Sequence, residues 1–209
     1  MPLLESIIHT ADLNSIRRAA KSILAALLIG CALAGAVSAQ ELVLQCDPAQ
    51  TAADFSLGDA LHTVKGSFAL KQGEIRFDPS SGKIGGEIVF DATSGASGNK
   101  SRDRKMHKDV LESARFPEIG FRPDHVDGAV AASGKSSVQV HGMFRIHGAE
   151  HEITVPAEVN LSADHWTVTT HFVVPYAKWG MKNPSVLFLR VGDSVDVAFH
   201  AAGGVAAGR

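Results

Sequence analysis

Apolar residues recur at every second position in most segments of this chain, and this alternation constrains the fold more than any other feature. The longest run covers residues 138–146, and Gly142 is its only interruption. Turn residues separate the runs, as at residues 79–82 and at Gly148-Ala149. Because successive side chains on a strand point to opposite faces, each such strand has one apolar face. The pattern therefore predicts an antiparallel sheet with one buried face.

About eight short strands and one helix are predicted for the folded domain. Gln72-Gly73 predicts a turn between the first two strands, and residues 101–111 have the one convincing helical pattern. The strand segments are residues 67–70, 74–77, 87–90, 119–121, 138–146, 153–159, 166–174 and 195–199. Both a β-sandwich and a closed barrel satisfy this set, and the alternation alone does not distinguish them. Closure at about eight strands leaves an interior just wide enough for side chains or one small ligand.

The N-terminus has the order of a secretory signal peptide. Basic residues at positions 17, 18 and 21 precede an uncharged apolar run over residues 23–37, which is short for a membrane span. Small residues then mark a cleavage site after Ala39. We therefore expect residues 1–39 to be a signal peptide and the mature protein to be periplasmic or secreted. The adjacent arginines leave both the Sec and the twin-arginine routes open.

Two other interpretations of this N-terminal segment stay open. Leu28-Ile29-Gly30-Cys31 fits a bacterial lipobox, in which Cys31 would carry the lipid. The residues after Cys31 are apolar, whereas a lipoprotein usually continues with a polar tether, so the composition favours soluble export. An uncleaved membrane anchor is the second alternative. After cleavage, no stable membrane insertion is expected.

Removal of residues 1–39 leaves 170 of the 209 residues, the size of one domain with its own core. We place the folded domain at residues 40–202 and a flexible Gly- and Ala-rich tail at residues 203–209.

The whole chain has 20 basic and 22 acidic residues. The predicted signal peptide holds three of the basic and two of the acidic ones, which leaves 17 basic against 20 acidic residues in the mature chain. This balance does not provide the basic surface that nucleic acid requires. Cys46, the only cysteine left, is expected to be an inert, partly buried thiol.

Residues 90–121 hold the most distinctive sequence, FDATSGASGNKSRDRKMHKDVLESARFPEIGF. A strand-like start passes through a loop of small residues into a charged helical segment. No nucleophile, metal cluster or phosphate-binding loop accounts for this layout. The stretch resembles the signature of the YceI-like family, periplasmic barrels that bind lipids and polyisoprenoids. The matching residues are Asp91, Ser94, Gly98-Asn99, Arg102-Asp103, Phe116, Pro117, Ile119 and Phe121.

The resemblance extends over nearly the whole mature chain, from about Leu44 to Ala202. Residues 140–148, VHGMFRIHG, are similar to the G-x-L-x-x-H-G hairpin of the family. Residues 175–181, PYAKWGM, take the place of its R-x-x-F-G segment, with proline for the usual arginine and tryptophan for phenylalanine. The resemblance implies an all-β, lipocalin-like antiparallel closed barrel with one short helix and an apolar cavity.

Aromatic residues that share the inward parity of their strands are the candidate ligand contacts. On the sequence pattern alone, these side chains could simply fill the core of a small barrel. The resemblance implies that they line an open cavity instead. The predicted lipid-binding residues are Phe68, Phe77, Phe90, Phe121, Phe144, Trp166, Phe172, Trp179 and Met181. Phe199 shares the same parity.

Histidines and a serine suggest a metal or catalytic site, but their context argues against both. His141 and His147 fall on the outward face of their strand and His151 lies beyond the turn, so no zinc site is expected. Ser97 and Lys100 match the S-x-x-K of penicillin-binding enzymes. The K-T-G and S-D-N elements that this chemistry also needs are missing, so Ser97 is interpreted as a loop or capping residue.

These observations predict an exported, non-catalytic binding protein that holds an amphiphilic or polyisoprenoid lipid in its barrel. No cofactor is expected besides a bound isoprenoid or fatty-acyl lipid, and a homodimer is left open. The main alternative is a stress or interaction protein whose barrel is filled by its own side chains. A third is a hydrolase or metal-dependent enzyme that uses the histidine-rich hairpin.

Overall fold

Nine antiparallel strands and one short helix make up the computed structural model over the residues it describes, which are 41–58, 63–185 and 190–207. These residues belong to the compact unit Ala39–Arg209. The predicted signal peptide, including Cys31, lies outside the described residues. The elements are β1 Leu42–Gln45, β2 Ala52–Gly58, β3 Thr63–Asp78, β4 Lys83–Asp91, α1 Lys100–Lys105, β5 Glu118–Asp127, β6 Gly134–Ile146, β7 Ala149–Leu161, β8 His165–Val174 and β9 Val195–Ala207.

Eight of the strands close into a ring, which confirms the predicted antiparallel barrel. From β3 to β9 each strand pairs with the next one in sequence, and β2 pairs with both β3 and β9. Strand β1 shares the position of β2 in the ring but lies further along the barrel axis. It pairs with the distal half of β3 through Leu42↔Phe77 and with the end of β9 through Leu44↔Val205. Residues 46–51 connect these two collinear strands.

Strand β3 is continuous through Gln72-Gly73, so the predicted turn at this dipeptide is wrong. A bulge between Leu70 and Gln72 shifts the register against β4 instead. The extra residue reverses the alternation, because two residues of β3 there oppose one of the partner strand. This reversal explains how Phe68 and Phe77, which differ in parity, both contribute to the apolar interior.

The β6–β7 hairpin explains the His-Gly dipeptide of the predicted motif. Ile146 pairs with Ala149, so His147 and Gly148 form a two-residue turn. Their φ angles are 52° and 75°, the positive values that a two-residue hairpin turn with right-handed twist requires at both positions. A Cβ on Gly148 would lie 2.4 Å from the ring of Phe116. Glycine is therefore needed there for both its backbone angle and its lack of a side chain.

Residues 203–207 continue strand β9, so the predicted flexible tail is wrong over these positions. Gly203 pairs with Trp166 of β8, and the last residues of β9 pair with β1. The connection between β1 and β2 presses on β9 at this point, where Asp47 N–H donates to the Ala202 carbonyl at 2.8 Å. A Cβ on Gly203 would lie 1.8 Å from the Gln45 carbonyl oxygen. Only small residues fit at this crossing. Because residues 203–207 are Gly, Val and Ala, they show no alternation of large apolar and polar side chains, and the sequence pattern did not indicate a strand there.

The antiparallel order places the connections after β4, β6 and β8 at one end of the barrel, which we call the lid end. Two of these connections are long and cover residues 92–117 and 175–194. Short turns after β3, β5 and β7 form the opposite end. In the described part of the chain, none of the helices has the length and hydropathy that a transmembrane span requires.

Candidate ligand-binding cavity

A cavity of about 660 Å³ occupies the interior of the barrel. All nine strands contribute to its wall, and the alternation of side chains supplies the apolar lining. Strand β7 shows this directly, since every second residue from Ile153 to Leu161 lines the cavity. The volume lies within the range of about 300–1,000 Å³ that is typical of small-molecule sites. The interior is therefore open and not filled by the protein's own side chains.

Eight of the nine side chains predicted to bind lipid lie on the cavity wall. Two pairs of these aromatic rings pack edge to face, with centroids 5.9 Å apart for Phe144 and Phe172 and 6.0 Å apart for Phe90 and Phe199. The predicted residues that line the cavity are Phe68, Phe77, Phe90, Phe121, Phe144, Trp166, Phe172 and Met181, and Phe199 joins them.

Trp179 is the exception, because it packs against Phe144 but is not itself part of the cavity wall. Its indole stacks on the His151 imidazole, with ring centroids 3.9 Å apart and planes 6° apart. It follows β8 in a segment without strand geometry, so no alternation fixes its direction. Burial lowers the pKa of His151, whose Nε2 has no hydrogen-bond partner among the described residues. The stacked His151 and Trp179 rings therefore connect β7 to the segment after β8 at the lid end of the barrel.

Charged side chains reach the cavity wall only in the half nearest the lid end, as far as the described residues show. Arg102 and Lys105 come from α1, and Asp54 comes from β2. Ser97, Asn99 and Ser101 add neutral polar groups beside them. The opposite end of the wall is apolar and includes Phe77 and Trp166. A ligand in this cavity would therefore find an apolar interior below a polar rim.

The distinctive sequence after β4 folds back over the barrel and forms a lid segment, residues 92–111. Asp91 caps its first turn by accepting hydrogen bonds from Thr93, which hold the pKa of Asp91 below its usual range. Ser94 Oγ accepts from Ala69 N–H of β3 at 2.8 Å. Ala96 and Ser67 exchange backbone hydrogen bonds of 3.0 and 3.1 Å. These contacts fasten the start of the lid segment to β3 beyond the point where β4 ends.

Helix α1 is capped and held by the polar residues of the family signature. Asn99 is its N-cap, and its side-chain oxygen accepts from the N–H groups of Ser101 and Arg102. The Ser97 hydroxyl donates to Asp103, and this bond is the main reason why the pKa of Asp103 is lowered. Arg102 in turn donates from Nε to Ser97 Oγ at 2.7 Å and from Nη2 to the Ser97 carbonyl at 2.6 Å. Ser97 is thus a loop residue, one of the two roles predicted for it, while Asn99 caps the helix.

The predicted helix over residues 101–111 is confirmed, although it starts one residue earlier and passes from α-helical to π-helical geometry. After α1, Met106–Val110 forms a π-helical turn. His107 within this turn bonds to the Gly95 carbonyl through Nε2 at 2.8 Å and to Ser113 Oγ through Nδ1 at 3.1 Å. Leu111 is buried in the core just beyond it. The C-terminal half of the lid segment is therefore anchored by His107 and by apolar packing.

Replacing Arg102 by alanine should loosen α1 while the barrel stays folded. The substitution removes both hydrogen bonds to Ser97, whereas the barrel strands do not depend on this side chain. Hydrogen exchange measured by mass spectrometry should rise several-fold across residues 97–105 and change little in β6 or β7. Arg104→Ala is the matched control, because Arg104 is exposed on the same helix. Equal exchange in wild type and Arg102→Ala would exclude Arg102 as the fastener of this helix.

The histidine-rich hairpin does not gather a metal site. His147 bonds to Glu112 at 3.2 Å, and His141 bonds to Asp127 at 2.8 Å on the outer surface. His151 faces inward against Trp179. No group of three or more His, Cys, Asp or Glu side chains within residues 41–58, 63–185 and 190–207 could hold a metal ion. Cys46 is buried and its pKa is raised to about 11, so its thiol stays protonated at neutral pH.

The chain belongs to the YceI-like family, because the YceI-like domain matches residues 44–202. This match covers the barrel from β1 to β9. A comparison with curated proteins found no match to the sequence of this chain.

Solved structures share this fold at low sequence identity. The crystal structure of Burkholderia cenocepacia BcnA is 20% identical with a TM-score of 0.64, and the match covers 76% of this chain and 99% of BcnA. A polyisoprenoid binding domain from Saccharophagus degradans, implicated in plant cell wall breakdown, is 17% identical with a TM-score of 0.62, over 78% of this chain and 98% of that one. The Campylobacter jejuni YCEI protein is 16% identical with a TM-score of 0.56, over 69% and 86%.

Several wall and rim residues were missed by the sequence prediction. Phe55 lines the cavity opposite Gly66, whose missing side chain makes room for its ring. Lys105 follows Arg102 at the i+3 position, which places both on one side of a helix. That spacing was visible in the sequence, and it could have identified Lys105 as a second rim residue.

Proposed function

We propose that this protein is a non-catalytic binding protein that holds an amphiphilic or polyisoprenoid lipid inside its barrel. The observation that carries this proposal is the open, apolar cavity with all of its described charged groups at one rim. Such a gradient suits a ligand with a long apolar tail and a polar head. The polyisoprenoid binding domain among the structural neighbours supports the same ligand class.

The energetics of the cavity support a lipid ligand. Each buried CH₂ group contributes about 0.8 kcal/mol, so a tail of several isoprene units reaches micromolar affinity after the cost of association. Wall residues such as Val155 and Ala157 offer no hydrogen bonds that a sugar or a nucleotide would need. The site therefore favours apolar chains over polar metabolites.

A binding role fits the polar residues of the family signature better than a catalytic one. The hydrogen bonds of these residues stabilise the turns and the helix cap of the lid segment, as seen for Asp91, Ser97, Asn99 and Asp103. Asp91 and Asp103 have lowered pKa values, so both are ionised near neutral pH and are poor proton donors. We infer that the signature builds the lid and performs no chemistry.

We also propose that the protein acts outside the cytoplasm after cleavage behind Ala39. This proposal rests on the order of basic, apolar and small residues in positions 1–39. Export and lipid binding can be tested together, because the exported, cleaved barrel is the form that would hold a lipid away from the membrane.

Native mass spectrometry of the protein purified from its own cells tests both parts in one measurement. The chain mass should correspond to a start at Gln40, and a second series of peaks should carry an apolar ligand of a few hundred daltons or more that organic solvent extracts. A diacylated chain that starts at Cys31 would favour the lipobox interpretation. A cleaved chain without a bound lipid, and without affinity for added lipids, would contradict the proposed function.

A further inference from the structure

Two basic side chains, Arg102 and Lys105, lie at the polar rim of the cavity. Asp103 shares the Ser97 hydroxyl with Arg102, and the charge of Arg102 contributes to its lowered pKa. Lys105 is half-buried, and its Nζ donates to the Pro184 carbonyl at 3.1 Å. Arg102 uses Nε and Nη2 on Ser97, and its Nη1 has no hydrogen-bond partner among the residues that the structure describes. Neither forms an ion pair with an acidic residue in the part of the chain that the structure describes. Both side chains retain donors that could bind a ligand oxygen.

The surroundings of these cations are also basic, although the mature domain as a whole is acidic. Residues 92–117 contain six Lys or Arg and three Asp or Glu. In the other long connection at this end, the described residues include Lys178, Lys182 and Arg190 against Asp193. Asp54 is the one acidic residue on the cavity wall among the described residues, against two basic ones. The field at the rim is therefore positive.

We propose that the rim selects an anionic headgroup, a carboxylate or a phosphate, on the lipid that occupies the cavity. This inference rests on the proposed function and names the chemical class of its ligand. The tail lies in the apolar end near Trp166, and the anionic oxygens accept hydrogen bonds from Lys105 Nζ and Arg102 Nη1. Charge-assisted bonds of this kind are about twice as strong as neutral ones, so an acid is preferred over an alcohol with the same tail.

Matched pairs of ligands test the headgroup separately from the tail. Oleate is compared with oleyl alcohol, and geranylgeranyl phosphate with geranylgeraniol, at pH 8 and low salt, with tryptophan fluorescence as the readout because Trp166 lines the cavity. The wild type should bind each anion about ten-fold more tightly than its neutral partner, and added salt should reduce the difference. Lys105→Met should bring the ratio close to one, because the two anions lose much more affinity than the two alcohols.

Lys108→Met is the control variant, since Lys108 is exposed on the same lid segment and does not line the cavity. It should keep the ten-fold preference. Equal affinities for acid and alcohol in the wild type would overturn the headgroup assignment while leaving the proposed function intact. Failure of all four ligands to bind would instead contradict the proposed function. Inorganic phosphate should not bind the ligand-free protein in a Lys105-dependent way. If it does, the rim is a site for a free anion, and its assignment to a lipid headgroup is overturned.

Discussion

Replacing Gly203 by alanine is expected to lower the free energy of unfolding by about 3 kcal/mol, the upper range for overpacking at a tight site. The new Cβ would lie 1.8 Å from the Gln45 carbonyl oxygen, and both groups belong to backbone that cannot rotate away. Strand β9 and the β1–β2 connection would have to separate. The urea midpoint should fall clearly, and the melting temperature should drop by about 6–12 °C.

Gly204→Ala is the matched control for this experiment. Its Cβ would meet nothing closer than the Asp164 carbonyl oxygen at 3.9 Å, which is ordinary contact. The neighbouring substitution should therefore change the melting temperature by no more than a degree or two. Similar stabilities for the Gly203 and Gly204 variants would show that the connection between β1 and β2 does not approach β9 as closely in solution as the 1.8 Å separation implies.

Replacing Ala157 by tryptophan is expected to abolish micromolar binding of long-chain lipids without unfolding the barrel. Ala157 lies on the cavity wall between Val138 and Thr170 of the neighbouring strands, so a larger side chain extends into the open volume. An indole that displaces several CH₂ groups of the ligand should weaken affinity by about 100-fold, at about 0.8 kcal/mol for each group. Lipid affinity and melting temperature should be measured together for wild type and variant.

Glu152→Trp provides the comparison, because Glu152 lies on the same strand and is exposed on the outer face. This variant should bind lipid like the wild type. If Ala157→Trp kept wild-type affinity, the interior would not be the binding site. A large fall in melting temperature together with no lipid binding by the wild type would also contradict the carrier role.

Alternation in the sequence located the cavity wall wherever strands are regular. Phe144 and Phe172 lie in long alternating runs within regular strands, so their inward direction follows from a period of two. The alternation could not locate the bulge of β3, because a bulge is one extra residue whose position depends on the pairing with β4. The family resemblance supplied barrel closure, which local patterns do not distinguish from a sandwich.

The parts that sequence reasoning missed depend on contacts between distant segments. Strand β1 has only four residues, and its pairing with β3 and β9 stabilises it. Trp179 lies in an irregular segment whose direction is set by stacking on His151. The end of β9 looks like a linker because its Gly and Ala residues allow a close crossing of backbones. In each case tertiary packing decides what composition leaves open.

The collinear pair β1 and β2 also determines when the barrel can finish folding. Residues 52 and 200 are partners, and Leu42 pairs with Ala207, so the first strands close only on the last one. Until β9 is available, β2 and β8 each keep an unpaired edge. Closure of such a long loop is slow, in the range of milliseconds to seconds for topologies dominated by non-local pairs. The barrel therefore stays open until β9 has been synthesised, and loss of residues from β9 would leave an edge strand that can pair with another copy.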